Sequence, residues 1–198
     1  MNLKDSEKEE KLRGGYYTPS GIAEFLVEWG MQCDPKSVLE PSCGDGAFIE
    51  ALDSCCDILD GVNFHGVEFD SKEASKARKR FSKLKLKGCS GTGVSKGDFF
   101  EFASKKRKRT FKDGVDLIIG NPPYIRYQYF ENGRELAEKR LGQLGIKTTK
   151  HANAWLHFLA ESVSLMSENS RIAMVIPGEL LHVTYSSNLR RWLTEQLS

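Results

Sequence analysis

The first clear hydrophobic period along the chain falls at 20–31, SGIAEFLVEWGM. Ile22, Ala23, Phe25, Leu26, Val27 and Trp29 recur at helical spacing, Ser20 stands where a cap would, and Glu24 lies in the early turns, so an amphipathic helix is predicted. SVLEPS (37–42) is a short apolar run ending in a turn, the pattern of a buried strand, and GAFIEALDSC (46–55) reads as a helix. FHGVEF (64–69) predicts a second strand and SKEASKARKRFSKLKL (71–86) a charged helix with a thin apolar stripe. A third strand is expected within TGVSKGDFFEF (92–102), a fourth in GVDLIIG (114–120) and a fifth in RIAMVIP (171–177). HANAWLHFLAESVSLM (151–166) and SSNLRRWLTEQL (186–197) predict helices. Residues 125–150 show weak periodicity and many charges, and read as a long loop with a short helix around GRELAEKRLGQL. Residues 1–14 read as a flexible lead.

Strands alternating with helices predict an α/β domain over 15–198, a mostly parallel sheet with helices on both faces. Such sheets hold ligands beyond the carboxyl ends of their strands, near the point where strand order reverses. The ends of the first four strands read LEPSCGDG, VEFD, GDFF and GNPPY. All are polar, glycine-bearing or acidic where a ligand would lie.

Composition narrows the picture modestly. Apolar residues make up 39% and charged residues 28%, ordinary for a globular chain, and no apolar run is long enough to span a bilayer. The charged N-terminus lacks the apolar stretch of a secretory signal. The five cysteines (Cys33, Cys43, Cys55, Cys56 and Cys89) are odd in number and lack zinc-ligand spacing, so no metal site is expected and a reducing cytoplasm fits best. The net charge is only +2, but between Lys72 and Arg109 fourteen basic residues face three acids, Glu73, Asp98 and Glu101. That segment suits either a polyanion or a solvated face.

The strand-end motifs carry the chemistry. In VLEPSCGDGAF, Gly44 and Gly46 permit a tight turn and close approach of backbone to ligand. Glu40 and Asp45 would repel a pyrophosphate and suit a cation, which disfavours a nicotinamide dinucleotide and favours S-adenosylmethionine with its ammonium and sulfonium charges. The other reading is a plain strand–helix turn. Glu68 at the end of the second strand offers two acceptors to a ribose diol, or is an ordinary surface acid; Phe69 beside it offers a face to adenine. Asp98 can accept from the adenine amino group, with Phe99 or Phe100 closing the ring pocket, unless the phenylalanines are core. In NPPY, proline carries a carbonyl but no N–H, so the backbone after Asn121 presents acceptors with little donor competition, and the Asn121 amide adds another. Two acceptors on one exocyclic amine draw its lone pair out of conjugation, and Tyr124 supplies a stacking face. The bland alternative is a Pro-Pro turn after a strand.

YYTP (16–19), LEPSCGDGAF (39–48), GVEFD (66–70), GDFF (97–100) and NPPY (121–124) together resemble the ordered motifs of SAM-dependent DNA adenine-N6 methyltransferases of the gamma class, from bacterial restriction–modification systems and type IIG-like enzymes. The resemblance implies a Rossmann-like SAM-dependent methyltransferase fold and a cytoplasmic, bacterial or archaeal enzyme. It implies that Tyr17 and Thr18 close over the methionine part of the cofactor, and that the loop Glu40, Pro41, Ser42, Cys43, Gly44 to Gly46 underlies it. Glu68 then holds the ribose, Phe69 packs on adenine, and Asp98 with Phe99 reads the adenine edge. Asn121, Pro122, Pro123 and Tyr124 hold a target adenine flipped from double-stranded DNA. Such enzymes have seven-stranded sheets and a C-terminal DNA-recognition domain. The five strands read here predict a sheet missing its last strands, a recognition domain absent from the chain, and an unpaired sheet edge open to association. IRYQYFENGRELAEKR (125–140), with Arg126, Tyr127 and Tyr129, reads equally as a lid over the target base or as an insert. A protein-glutamine or RNA-base methyltransferase using the same NPPY chemistry, and a non-catalytic SAM-binding fragment, remain alternatives.

Overall fold

A computed structural model describes residues 17–105, 107–125, 133–147 and 153–197. The 1–14 lead, Tyr16, the residues Arg126, Tyr127 and Tyr129 and the predicted helix start at His151 lie outside the described residues. The chain divides into two compact units: Tyr17–Asn121 with Leu165–Met174, and a second containing Pro122–Ser164 and Val175–Ser198.

The first unit is built on five parallel strands in the order β3-β2-β1-β4-β5. Its elements are α1 (Ser20–Met31), β1 (Ser37–Glu40), α2 (Ala47–Cys55), β2 (Asn63–Glu68), α3 (Ser71–Leu86), β3 (Ser90–Lys96), α4 (Phe99–Lys105), α5 (Arg107–Thr110), β4 (Val115–Gly120) and, much later in the chain, β5 (Met166–Met174). Successive residues of β2 show why helices cover both sides, since neighbouring side chains of a strand point to opposite faces. Phe64 stacks on Phe81 of α3 with ring centroids 5.5 Å apart, whereas His65 stacks on Phe102 of α4 at 4.6 Å. The aliphatic runs Val38–Leu39 and Leu117–Ile119 are wholly buried, as central strands of a doubly covered sheet require. α1 turns its small residues Ala23, Val27 and Gly30 inward, and leaves Ile22, Phe25 and Trp29 partly exposed. A Cβ on Gly30 would come within 2.8 Å of Leu117, so this glycine sets how closely the helix approaches β4.

Two strand boundaries differ from the sequence expectation. β3 ends at Lys96, and the FFEF run is the start of α4: the Asp98 carboxylate accepts from the backbone N–H of Glu101 at 2.9 Å, and its carbonyl accepts from Phe102 N–H at 3.0 Å. A run of apolar residues is ambiguous between strand and buried helix, and the acid in front of it decided for the helix. β5 begins at Met166 rather than 171, and stops at Met174 before VIP. Its polar first half, MSENS, is tolerated because β5 lies at an edge of the described sheet, where only one neighbour must be satisfied. An inserted Asp116 ties that corner together: it accepts from the N–H groups of Lys36 and Ser37 (3.0 Å each), the Ser37 hydroxyl (3.0 Å) and the Ser167 hydroxyl (2.6 Å).

The second unit is helical: α6 (Arg134–Gln143), α7 (Ala154–Val163), α8 (Glu179–His182) and α9 (Ser187–Gln196), with a 3-10 turn at Thr184–Ser186. α7 is buried along its whole length. Arg140 of α6 donates to the buried Glu161 carboxylate at 3.0 Å and to Ser164 at 2.9 Å, so the one buried acid of α7 meets a cation. Among the described residues no helix is long and apolar enough to cross a membrane.

Candidate active site

Parallel strands end on one edge of the sheet, and the strand order therefore fixes the order of the motifs along that edge. Asp98 lies just beyond β3, Glu68 ends β2, Glu40 ends β1, and Asn121 follows β4. At about 4.8 Å per strand step, the four positions span about 14 Å. The order reverses between β1 and β4, with β2 and β3 to one side and β5 to the other, so Glu40 and Asn121 flank the point where such sheets bind ligands.

The turn after β1 is held by its neighbours. Gly44 and Gly46 have φ of +53° and +96°, which bulkier residues resist. The Cys43 N–H donates to the Val67 carbonyl at 2.9 Å, and the Gly44 N–H donates to the Glu68 carboxylate at 2.8 Å. A Cβ on Gly66 would stand 3.1 Å from the Cys43 sulfur, so the glycine in HGVEF makes room for the turn. The other Glu68 oxygen accepts from Asp70 N–H at 2.7 Å. Burial pushes the Glu68 carboxyl up, and these two backbone donors pull it back.

Glu40 and Asp45 have opposite surroundings. Glu40 is 1% exposed and its Oε2 has no hydrogen-bond partner among the described residues. Burial first, then the charges of Glu68 and Asp45, hold its carboxyl well above the usual carboxylate range. Asp45, by contrast, pairs with Arg80 of α3 at 2.9 Å, and Arg80 also reaches Glu50 at 3.4 Å. Of the two, Glu40 therefore keeps an oxygen with no partner among the described residues, open to a cation or a donor. The pairing of Asp45 left no mark in the sequence beyond one arginine in a row of basic residues.

The remaining positions differ in exposure. Phe69 is 55% exposed, with the Lys96 ammonium 5.9 Å from its ring centre, so its ring offers a face to a ligand. Phe99 and Phe100 are both buried and tilt against each other at 5.4 Å. Burial raises the Asp98 carboxyl, opposed by N–H groups of Glu101 and Phe100. Tyr17 is exposed. Thr18 accepts from the Asn121 side-chain Nδ2 at 3.1 Å, and the Ser42 hydroxyl donates to the Asn121 carbonyl at 3.2 Å. Both contacts join residues distant in sequence, and nothing in the motif spacing foretold either. In the helical unit, the Tyr124 hydroxyl donates to the Val175 carbonyl at 2.7 Å, and burial pushes the phenol up to about 12.

A family model described as Eco57I restriction-modification methylase matches residues 49–198, well over half of the chain. The chain belongs to that family. Among curated relatives, it is 28% identical over 187 residues to the type II methyltransferase M.XamI of Xanthomonas campestris pv. amaranthicola, covering 93% of this chain and 33% of the relative. It is 27% identical over 189 residues to M.AccI of Acinetobacter calcoaceticus, covering 95% of this chain and 32% of the relative. The chain thus spans about a third of the length of these relatives. Among solved structures, the type I restriction–modification methyltransferase subunit of Streptococcus thermophilus superposes with a TM-score of 0.67 at 16% identity, covering 91% of this chain and 38% of that one. The fold is the Rossmann-like fold of SAM-dependent methyltransferases, and S-adenosylmethionine is the cofactor that this fold and this family serve.

Proposed function

We propose that this chain is the cofactor-binding and methyl-transferring part of a DNA adenine-N6 methyltransferase acting on double-stranded DNA in a restriction–modification system. One observation carries the reading: the strand ends line up as an adenine acceptor (Asp98), a ribose acceptor (Glu68), a buried acid seeking a cation (Glu40) and an amide (Asn121), which is the order of the parts of S-adenosylmethionine followed by its target. The unpartnered Glu40 oxygen fits the cofactor's cationic methionine end. S-adenosylmethionine supplies a methyl group activated by a positively charged sulfur.

In this reading, Tyr17 and Thr18 cover the methionine part and the Glu40–Gly46 turn, through Pro41, Ser42, Cys43 and Gly44, lies beneath it. Glu68 accepts from the ribose, the open face of Phe69 packs on the adenine, and Asp98 accepts from its amino group, with Phe99 supporting the wall from within the core. Asn121 and the backbone at Pro122 and Pro123 accept both hydrogens of the target amine. That localises the nitrogen lone pair for in-line attack on the methyl carbon, and Tyr124 stacks on the flipped base. The Ser42 hydroxyl takes one of the two lone pairs of the Asn121 carbonyl, and in this reading the backbone acceptor is at the prolines. DNA recognition by a further domain, as the family resemblance implies, belongs to the same proposal.

The decisive assay is transfer from labelled S-adenosylmethionine to unmethylated duplex DNA, followed by digestion and mass spectrometry of the nucleosides. N6-methyldeoxyadenosine is the expected product. Label on cytosine, on RNA or on a protein glutamine instead would overturn the proposed substrate.

A further inference from the structure

Asn121 is gripped at two points by motifs that sequence reading assigns to the cofactor. Its Nδ2 donates to the Thr18 hydroxyl at 3.1 Å, and its main-chain carbonyl accepts from the Ser42 hydroxyl at 3.2 Å. The three residues come from the segment before α1, the turn after β1 and the end of β4. We infer that Thr18 and Ser42 are positioning residues for methyl transfer, holding the Asn121 amide in the plane and orientation that turns its oxygen toward the target amine. The inference rests on the function proposed above and deepens it.

The physical need is specific. The terminal torsion of asparagine joins an sp³ to an sp² carbon, so it is broad and roughly two-fold, and does not fix the amide plane by itself. An amide whose NH₂ faced an exocyclic amine would set donor against donor and lose the lone-pair polarisation. A hydroxyl can accept or donate, so Thr18 holds the plane in either orientation. The target amine offers hydrogens, which selects the arrangement with Nδ2 on the Thr18 hydroxyl, the one in the structure. Ser42 fixes the backbone from which the side chain springs, and does so on a carbonyl followed by proline, where no N–H is available to help. Thr18 and Ser42 thus act on the target amine through Asn121.

The test uses Thr18→Val, which keeps shape and removes the hydroxyl, Thr18→Ser, which returns it, and Ser42→Ala. The first readout needs no turnover: solvent exchange of the Asn121 side-chain amide protons, followed by ¹⁵N-asparagine labelling and assigned by loss of the signal in Asn121→Asp. Exchange should quicken in Thr18→Val and return towards the original rate in Thr18→Ser. The second is single-turnover transfer at saturating S-adenosylmethionine, alongside cofactor affinity by calorimetry. The expected result for Thr18→Val is a rate about tenfold lower that persists at saturating cofactor, and recovery in Thr18→Ser. Ser42→Ala should show a smaller rate loss of the same kind. An unchanged Asn121 amide signal in Thr18→Val overturns the inference, as does a rate loss that excess cofactor restores, which would make Thr18 a cofactor contact alone. If the unaltered protein methylates no adenine, the proposed function fails, while the amide exchange still decides the positioning role.

Discussion

Asn121 and Glu40 set the residue scale, because each is asked to do something its side chain does poorly in water. Asn121 must present an acceptor to an amine at a fixed angle. Asn121→Ala should abolish transfer while leaving S-adenosylmethionine affinity within about threefold, since the lost contact is made to the target rather than the cofactor. Calorimetry beside single-turnover assays separates the two. Glu40 is a buried acid raised first by desolvation. An acid whose folded value is raised above its unfolded one adds nothing unfavourable below the unfolded value near 4.5, and stability is lost as pH rises from there through the folded value. Glu40→Gln should therefore flatten the fall in melting temperature between acidic and alkaline pH in the cofactor-free protein. The same change should weaken S-adenosylmethionine about 10- to 100-fold, the range for losing a hydrogen bond to a charged group. A variant that binds the cofactor unchanged would remove Glu40 from the site. Of these residues the motifs were legible in sequence, but the isolation of Glu40 was not. Asp45 looked equally available until Arg80 took it up.

Elements show where pattern reading works and where it stops. α1 and α3 lie where periodicity put them, since an amphipathic stripe is a local property of the chain. The third strand was expected within 92–102 without the helix that follows it, and the capping contact of Asp98 marks where α4 begins. β5 was read too short because its first half is polar, as an edge strand can be. Two glycines of α1 give a matched test of packing against propensity. Gly30→Ala would drive a Cβ to within 2.8 Å of Leu117, an overpacking expected to cost about 1–3 kcal/mol. Gly21 has nothing within 4 Å of an added Cβ, and alanine there should stabilise by about 0.5–1 kcal/mol. Urea unfolding of both variants would show opposite signs; equal effects would mean that α1 does not sit on β4 as described.

At the scale of the whole molecule, pH response is set by groups in both units. Burial chiefly lowers His157 of α7 from 6.5 to about 4; a hydrogen bond to the Asn153 backbone opposes this and the Arg134 charge adds to it. Its unfolded form takes up a proton below about 6.5 while the folded form does not, so stability is lost as pH falls from there towards 4. His157→Gln should leave the melting temperature at pH 8 nearly unchanged and reduce its drop at pH 5. Asp116 acts lower on the scale. Burial would raise it, but the hydroxyls of Ser167 and Ser37 and the N–H groups of Lys36 and Ser37 hold it below 3.8, so its contribution is present above that value and lost as pH falls through the folded one. Asp116→Asn should shift the acid-unfolding midpoint upward, because the clamp on β1, β4 and β5 then loses its charge-assisted bonds.

What the sequence by itself determined was the alternation of strands and helices, and with it the parallel sheet and the edge on which its motifs gather. These follow from local periodicity and from the chemistry of glycine, proline and the acids, which each residue carries wherever it lies. The order β3-β2-β1-β4-β5, the burial of Glu40, the pairing of Asp45 with Arg80, and the grip of Thr18 and Ser42 on Asn121 were decided only by the tertiary structure. Each depends on residues far apart in the chain meeting at one place, and neither a lone pair's partner nor its loss of water is written in the spacing of the residues beside it.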